Sequence, residues 1–165
     1  RGLGDVYKRQ LQTEQFTDGS AVLFNWDGGA WQFIDASLAV TKTFHAEQYG
    51  GVFSHDGGTY YFVQDDVLCR ADVASGQTER VPLSSELRFM DVAGIFPDSE
   101  TLFLHCLLSP YSTEGGTVIL DTATGEYAML QKEWYAPYYG QSGPEFLRFN
   151  NQDMGYDVLL SLIHI

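Results

Sequence analysis

The sequence predicts an all-β chain assembled from repeated antiparallel units, and three observations predict it. A polar turn, an apolar run, a loop and a second run ending in aspartate recur in the same order three times. Glycine and Asx residues punctuate the chain at strand-length intervals, the mark of hairpins. No segment sustains the 3.6-residue apolar period of an amphipathic helix; residues 84–92 are expected to hold one short turn at most.

The repeats open at Asp18-Gly19, Asp56-Gly57 and Asp98-Ser99, which lie 38 and 42 residues apart. Each turn leads into an apolar, aromatic or β-branched run, at residues 21–24, 60–63 and 102–104. A loop of varying length follows, then a second run closing on Asp35, Asp72 or Asp121. Beyond that aspartate come another turn and a shorter strand. A fourth copy is expected near Ser142-Gly143, with residues 145–149 as its first run.

Val118-Ile119-Leu120 and Leu102-Phe103-Leu104 are continuous apolar runs, which suit strands buried on both faces. A sheet stacked between two neighbours has that property, whereas a sheet with one wet face alternates. Residues 51–54 and 92–96 supply a fourth strand to each unit if they pair with the runs that follow them. Four-stranded units at a period of roughly 40–45 residues predict a partial β-propeller, with about three four-stranded blades and the start of a fourth. An open β-sandwich is the weaker alternative.

Asp72-Val73-Ala74-Ser75-Gly76-Gln77 and Asp121-Thr122-Ala123-Thr124-Gly125-Glu126 share the pattern D-x-A-[ST]-G. With the strand before it, the second resembles the repeat of bacterial propellers of the quinoprotein-like, YVTN and TolB-like groups. The resemblance covers most of residues 18–149. The first repeat departs from it, since Asp35-Ala36-Ser37-Leu38 keeps the aspartate and loses the glycine. The tryptophan that quinoprotein repeats carry after the turn is absent from all three copies, so the likeness names an architecture and no subfamily. It implies a bacterial, extracytoplasmic scaffold that binds a ligand or a protein through loops varying from blade to blade. The alternative it allows is the propeller domain of a larger enzyme, either a prolyl-oligopeptidase-like serine peptidase or a quinoprotein-like ring. Fold alone does not choose between them.

In the repeated motif an aspartate carboxylate accepts backbone amides two or three residues on, and glycine supplies a positive φ. Asp35, Asp72, Gly76, Asp121 and Gly125 are therefore read as a structural turn motif, because turn chemistry repeats while catalytic residues normally occur once.

The chain carries 22 Asp/Glu against 9 Lys/Arg, a formal net charge of −13. Such a surface repels a phosphate backbone and offers no basic cluster, which excludes nucleic acid as the expected partner. No apolar run approaches membrane-spanning length. The partners expected are a ligand or protein of unknown identity and further blades of a longer polypeptide.

The two ends read differently from the middle. Asp5-Val6-Tyr7-Lys8-Arg9-Gln10 is the translation of GAT GTG TAT AAG AGA CAG, and residues 160–165 are the translation of its reverse complement. Both strings resemble a transposon-based sequencing adapter. Residues 1–10 and 160–165 are accordingly expected to be non-native, and residues 11–159 to be an incomplete domain cut from a longer protein.

No catalytic, cofactor-binding or metal-binding constellation stands out. Asp65-Asp66 falls in a hairpin loop, where adjacent acids are ordinarily solvated. The stretch Asn151 to Asp157 has oxygen ligands at alternate positions but the wrong glycine for a calcium loop. Gly140-Gln141-Ser142-Gly143 lacks the G-x-S-x-G spacing of a nucleophile elbow. His45, His55 and His105 fall in three different repeats without ligand spacing, and Cys69 and Cys106 sit in apolar runs as buried thiols. The aromatic patch Trp134, Tyr135, Tyr138 and Tyr139 has rings suited to stacking on a sugar or peptide. The favoured reading makes it the innermost strand of the next blade.

Overall fold

A computed structural model describes residues 13–16, 18–25, 28–46, 48, 50–83, 88–96, 101–107, 115–130, 135–140, 143–150 and 155–159, and after residue 129 the description is of backbone alone. All regular structure among them is β. The first sheet contains β1 (Thr13–Gln15), β2 (Ala21–Asn25), β3 (Ala30–Ile34) and β4 (Val40–Phe44). The second contains β5 (Val52–Phe53), β6 (Thr59–Gln64), β7 (Val67–Asp72) and β8 (Thr78–Arg80). The third contains β9 (Arg88–Ile95), β10 (Thr101–Leu107), β11 (Gly115–Asp121) and β12 (Tyr127–Leu130). A fourth sheet comprises β13 (Tyr135–Gly140), β14 (Gly143–Asn150) and β15 (Gly155–Leu159). Each is an antiparallel meander in chain order, the unit from which propeller-like folds are built.

The first three sheets share one hydrogen-bond register at their first turn. The first turn of each is closed by the same backbone bond: Phe16, Ser54 and Phe96 donate their N–H to the carbonyls of Ser20, Thr59 and Thr101 at 2.8, 2.8 and 2.9 Å. Counting on from those bonds, Ala21, Tyr60 and Leu102 are equivalent, as are Leu23, Phe62 and Leu104. Side chains alternate across a strand, so each sheet has two faces that can be followed from copy to copy.

Both faces of the second sheet are buried. Tyr60, Phe62, Cys69 and Ala71 pack against Val22, Phe24, Trp31 and Phe33 of the first sheet. Tyr61 and Leu68, one residue out of phase, pack against Leu102, Leu104, Val118 and Leu120 of the third. The first seam is aromatic: Trp31 meets Phe53 at 5.1 Å and Phe24 at 5.0 Å between ring centroids. The second is mostly aliphatic. On the far face of the third sheet Phe103 is also fully buried, with Phe96 against it at 4.6 Å. The continuous apolar runs in the sequence are the imprint of these two-sided positions.

Burial falls off toward the outermost strand of each of the first three sheets. Every residue of β8 is exposed, and β4 is largely so, whereas β6, β7, β10 and β11 supply most of the core. The first strands gather on the opposite side, where β9 lies against β5 and β6 on one flank and β13 on the other.

One expectation needs correction, and a second holds. The described part of residues 84–92 is extended rather than turned, because Arg88–Ile95 forms β9 and pairs with β10. Phe89 and Val92 enter the second seam, and that tertiary pairing overrides a weak local preference. Residues 145–149 lie in β14, the second strand of the fourth sheet, which is the place the first apolar run takes in β2, β6 and β10, and β13 pairs with it from Tyr135↔Arg148 to Gly140↔Gly143. Residues 1–10 and 160–165 lie outside the described residues.

The connector entering the second sheet passes close over the core. The Tyr60 hydroxyl donates to the Gln48 carbonyl at 3.0 Å and accepts the Gly51 N–H at 2.9 Å. A β-carbon at Gly51 would stand 2.1 Å from the Tyr61 carbonyl oxygen and 2.7 Å from Tyr60 Cζ. Gly51→Ala is therefore expected to destabilise the protein by about 2–3 kcal/mol, measured by urea denaturation. An unchanged midpoint would mean that the connector is free to lift away.

Candidate functional site

In an up-and-down sheet the first and third connections share one end, and the second connection shares the other end with the passage to the next sheet. The two ends of this protein differ in chemistry.

At the turn end the corners repeat. Asp35 Oδ1 accepts the Ser37 and Ala39 amides at 2.8 and 3.0 Å and the Ser37 hydroxyl at 2.6 Å. Asp72 Oδ1 accepts the Ser75 amide and hydroxyl at 2.6 and 2.7 Å. Asp121 Oδ1 accepts the Ala123 and Thr124 amides at 2.8 and 3.1 Å. Gly76 and Gly125, both at φ +73°, donate to the carbonyls of Asp72 and Asp121 at 2.8 Å. The first repeat closes one residue earlier: Leu38 donates to the Asp35 carbonyl at 2.9 Å and takes the left-handed conformation itself, at φ +64°. Asp18 and Asp56 cap the preceding corners in the same manner, holding the Ser20 and Gly58 amides.

These bonds favour the ionised carboxylates. Asp18, Asp35, Asp56 and Asp72 titrate below the ordinary value of 3.8, chiefly because a serine hydroxyl donates to each. Asp121 is lowered mainly by the Thr124 and Ala123 amides. A corner linked to the next sheet completes this end: His55 Nε2 donates to the Phe96 carbonyl at 2.8 Å, which requires the proton on Nε2.

At the loop end no motif repeats among the described residues. The second connections hold four residues between β2 and β3, two between β6 and β7, and seven between β10 and β11. The two-residue hairpin is Asp65-Asp66, with φ at +51° and +64°, the primed turn that matches sheet twist. Arg88 binds the Asp66 carboxylate, and the Phe89 N–H donates to the Asp66 carbonyl at 2.9 Å. This acid pair is thus a hairpin tip clamped to the start of the next sheet, and Asp66 is committed to a guanidinium.

His105 Nδ1 lies 2.7 Å from Asp91 Oδ1, across the β10–β9 pairing. The imidazole is 18% exposed and the carboxylate 54%. By register the positions equivalent to His105 are Phe24 and Val63, and those equivalent to the fully buried Thr117 are Trp31 and Leu68. The third sheet alone puts polar groups where the other two put seam hydrocarbon. Sequence spacing did not reveal the pair, because its partners meet only through the bulged register of β9 on β10.

The other sequence candidates separate. His45 is exposed and His55 serves the turn end. Cys69 and Cys106 are buried thiols in different seams that form no disulfide, and burial pushes the Cys106 thiol up. Tyr135, Tyr138 and Tyr139 lie in β13, whereas Trp134 falls outside the described residues. Gly140 and Gly143 face each other across a β-hairpin. Gly155, Tyr156 and Asp157 stand in β15, and residues 151–154 are outside the description. Among the described residues no group of three or more His, Cys, Asp or Glu side chains is placed to hold a metal, and no helix is long and apolar enough to cross a membrane.

No protein-family model matches the chain, and no curated protein matches it. Among solved structures, one described as a streptogramin B lyase structure aligns with a TM-score of 0.44 and 14% identity, over 93% of this chain and 55% of that one. This chain thus spans little more than half the length of that protein.

Two outcomes are expected of the turn end. Leu38 is 77% exposed, so Leu38→Gly removes a left-handed non-glycine at little packing cost and should stabilise by about 0.5–1 kcal/mol in thermal or urea unfolding. The corner aspartates titrate lower folded than unfolded, so their stabilisation is present above 3.8 and is lost as pH falls through the lower folded values. Melting temperature followed from pH 5 to about pH 2 should fall more steeply for the wild type than for the triple variant D35N/D72N/D121N.

Proposed function

We propose that this chain is part of a β-propeller that serves as a ligand- or protein-binding scaffold, with recognition at the loop end. The contrast between the two ends carries the proposal. One end repeats the same aspartate corner in each of the first three sheets, the signature of a scaffold. The other varies in loop length and gathers Asp65, Asp66, Arg88, Asp91 and His105 near the entry to the third sheet. Binding residues concentrate on variable loops held by a rigid frame.

The outer face of the first sheet supports the incomplete ring. Ala21, Leu23 and Ile34 are half-buried there, at the positions where the second sheet carries Tyr60, Phe62 and Ala71 and the third carries Leu102, Leu104 and Leu120. Those later positions are covered by a preceding sheet, and the apolar set on the first sheet suits a cover of the same kind.

Amide NMR spectra recorded with a panel of oligosaccharides and short peptides test the reading. Shift changes are expected to cluster at Asp65, Asp66, Arg88, Asp91 and His105. Changes clustered at Asp18, Asp35, Asp72 and Asp121 would assign recognition to the wrong end and refute the proposal.

A further inference from the structure

The outermost strands of the first three sheets treat their free edges differently. β8 is Thr78-Glu79-Arg80, three exposed residues with Glu79 held by Arg70 at 2.6 Å, and β4 carries Lys42. Charged side chains on an edge strand resist pairing with another chain. β12 has no such protection. It reads Tyr127-Ala128-Met129-Leu130, pairs with β11 alone among the described strands, and exposes Tyr127 and Met129 by 39% and 41%. Two residues apart, those side chains stand on one face.

Beside the start of this strand lies an open notch of about 690 Å³ lined by Pro82, Leu83, Thr124, Gly125, Glu126 and Tyr127. It forms where the chain leaving the second sheet passes the outer turn of the third. An unpaired edge gives main-chain hydrogen bonding to an added strand, and an adjacent notch selects its side chains. Charge selects the occupant. Two copies of this chain each carry −13 and repel, whereas a basic segment is attracted, with the Glu126 carboxylate in the notch wall.

We propose that the β12 edge and its notch form a docking site for an extended, lysine- or arginine-rich segment of a partner protein, which adds a strand beside β12 and seats an apolar side chain between Leu83 and Tyr127. This site is on the outer rim and is independent of the loop-end proposal.

The test uses the full chain and a fluorescein-labelled octapeptide of alternating lysine and valine. Saturable binding is expected, with slowed amide exchange at residues 127–130. Met129→Lys places a like charge on an exposed edge position and should weaken binding at least about tenfold, while Met90→Lys, on exposed Met90 of β9, should leave it within about twofold. Both variants should melt as the wild type does. Absence of binding, binding without protection of β12, or equal losses in the two variants would overturn the proposal. Self-association that protects β12 in the absence of peptide would overturn it in favour of a second copy.

Discussion

A strand in which neighbouring residues are both apolar has no face to give to water. In β6, Tyr60 and Phe62 point into one seam and Tyr61 into the other, and in β7 Cys69 and Leu68 divide in the same way. Full burial of each large side chain is worth about 1.5–3 kcal/mol, against about 0.5–1.5 for a typical hydrogen bond. The seams therefore supply most of the cohesion, and the turns determine which residues meet in them. A one-residue slip at an aspartate corner would send each apolar row to the opposite face. The corner bonds at Asp35, Asp72 and Asp121 matter for that reason even though their carboxylates are exposed.

Ties between sheets occur at both ends. His55 reaches the Phe96 carbonyl at the turn end, and Asp66 holds Arg88 and Phe89 at the loop end. Together they align the second and third sheets along the strand direction, a freedom that greasy contact alone leaves loose. The loop end can then vary without disturbing the stack. A seven-residue connection between β10 and β11 coexists with a two-residue one between β6 and β7 on equivalent frames.

What was legible in the sequence is what is encoded locally. Continuous runs such as Val118-Ile119-Leu120 announce two-sided burial, and D-x-A-[ST]-G announces a corner, because a few adjacent residues carry all the physics. Leu38 was opaque: its left-handed φ comes from a hairpin one residue shorter than its counterparts, and nothing in leucine itself signals that. β9 was opaque too. Met90 and Asp91 are exposed and two irregularities interrupt its pairing, so the apolar rhythm of a strand is broken. The polar groups of the loop end were visible singly, but Asp66 with Arg88 and Asp91 with His105 are products of register and stacking, which spacing along the chain does not contain.

The double-sided stack also shapes how the molecule comes apart under load. Each sheet is a local meander, so its internal pairings close short loops, while its stability is lent by the neighbours pressed on either flank. Force applied along the chain should strip sheets from the outside inward, one discrete extension per sheet, with the second and third sheets the last to yield because both are buried on their two faces.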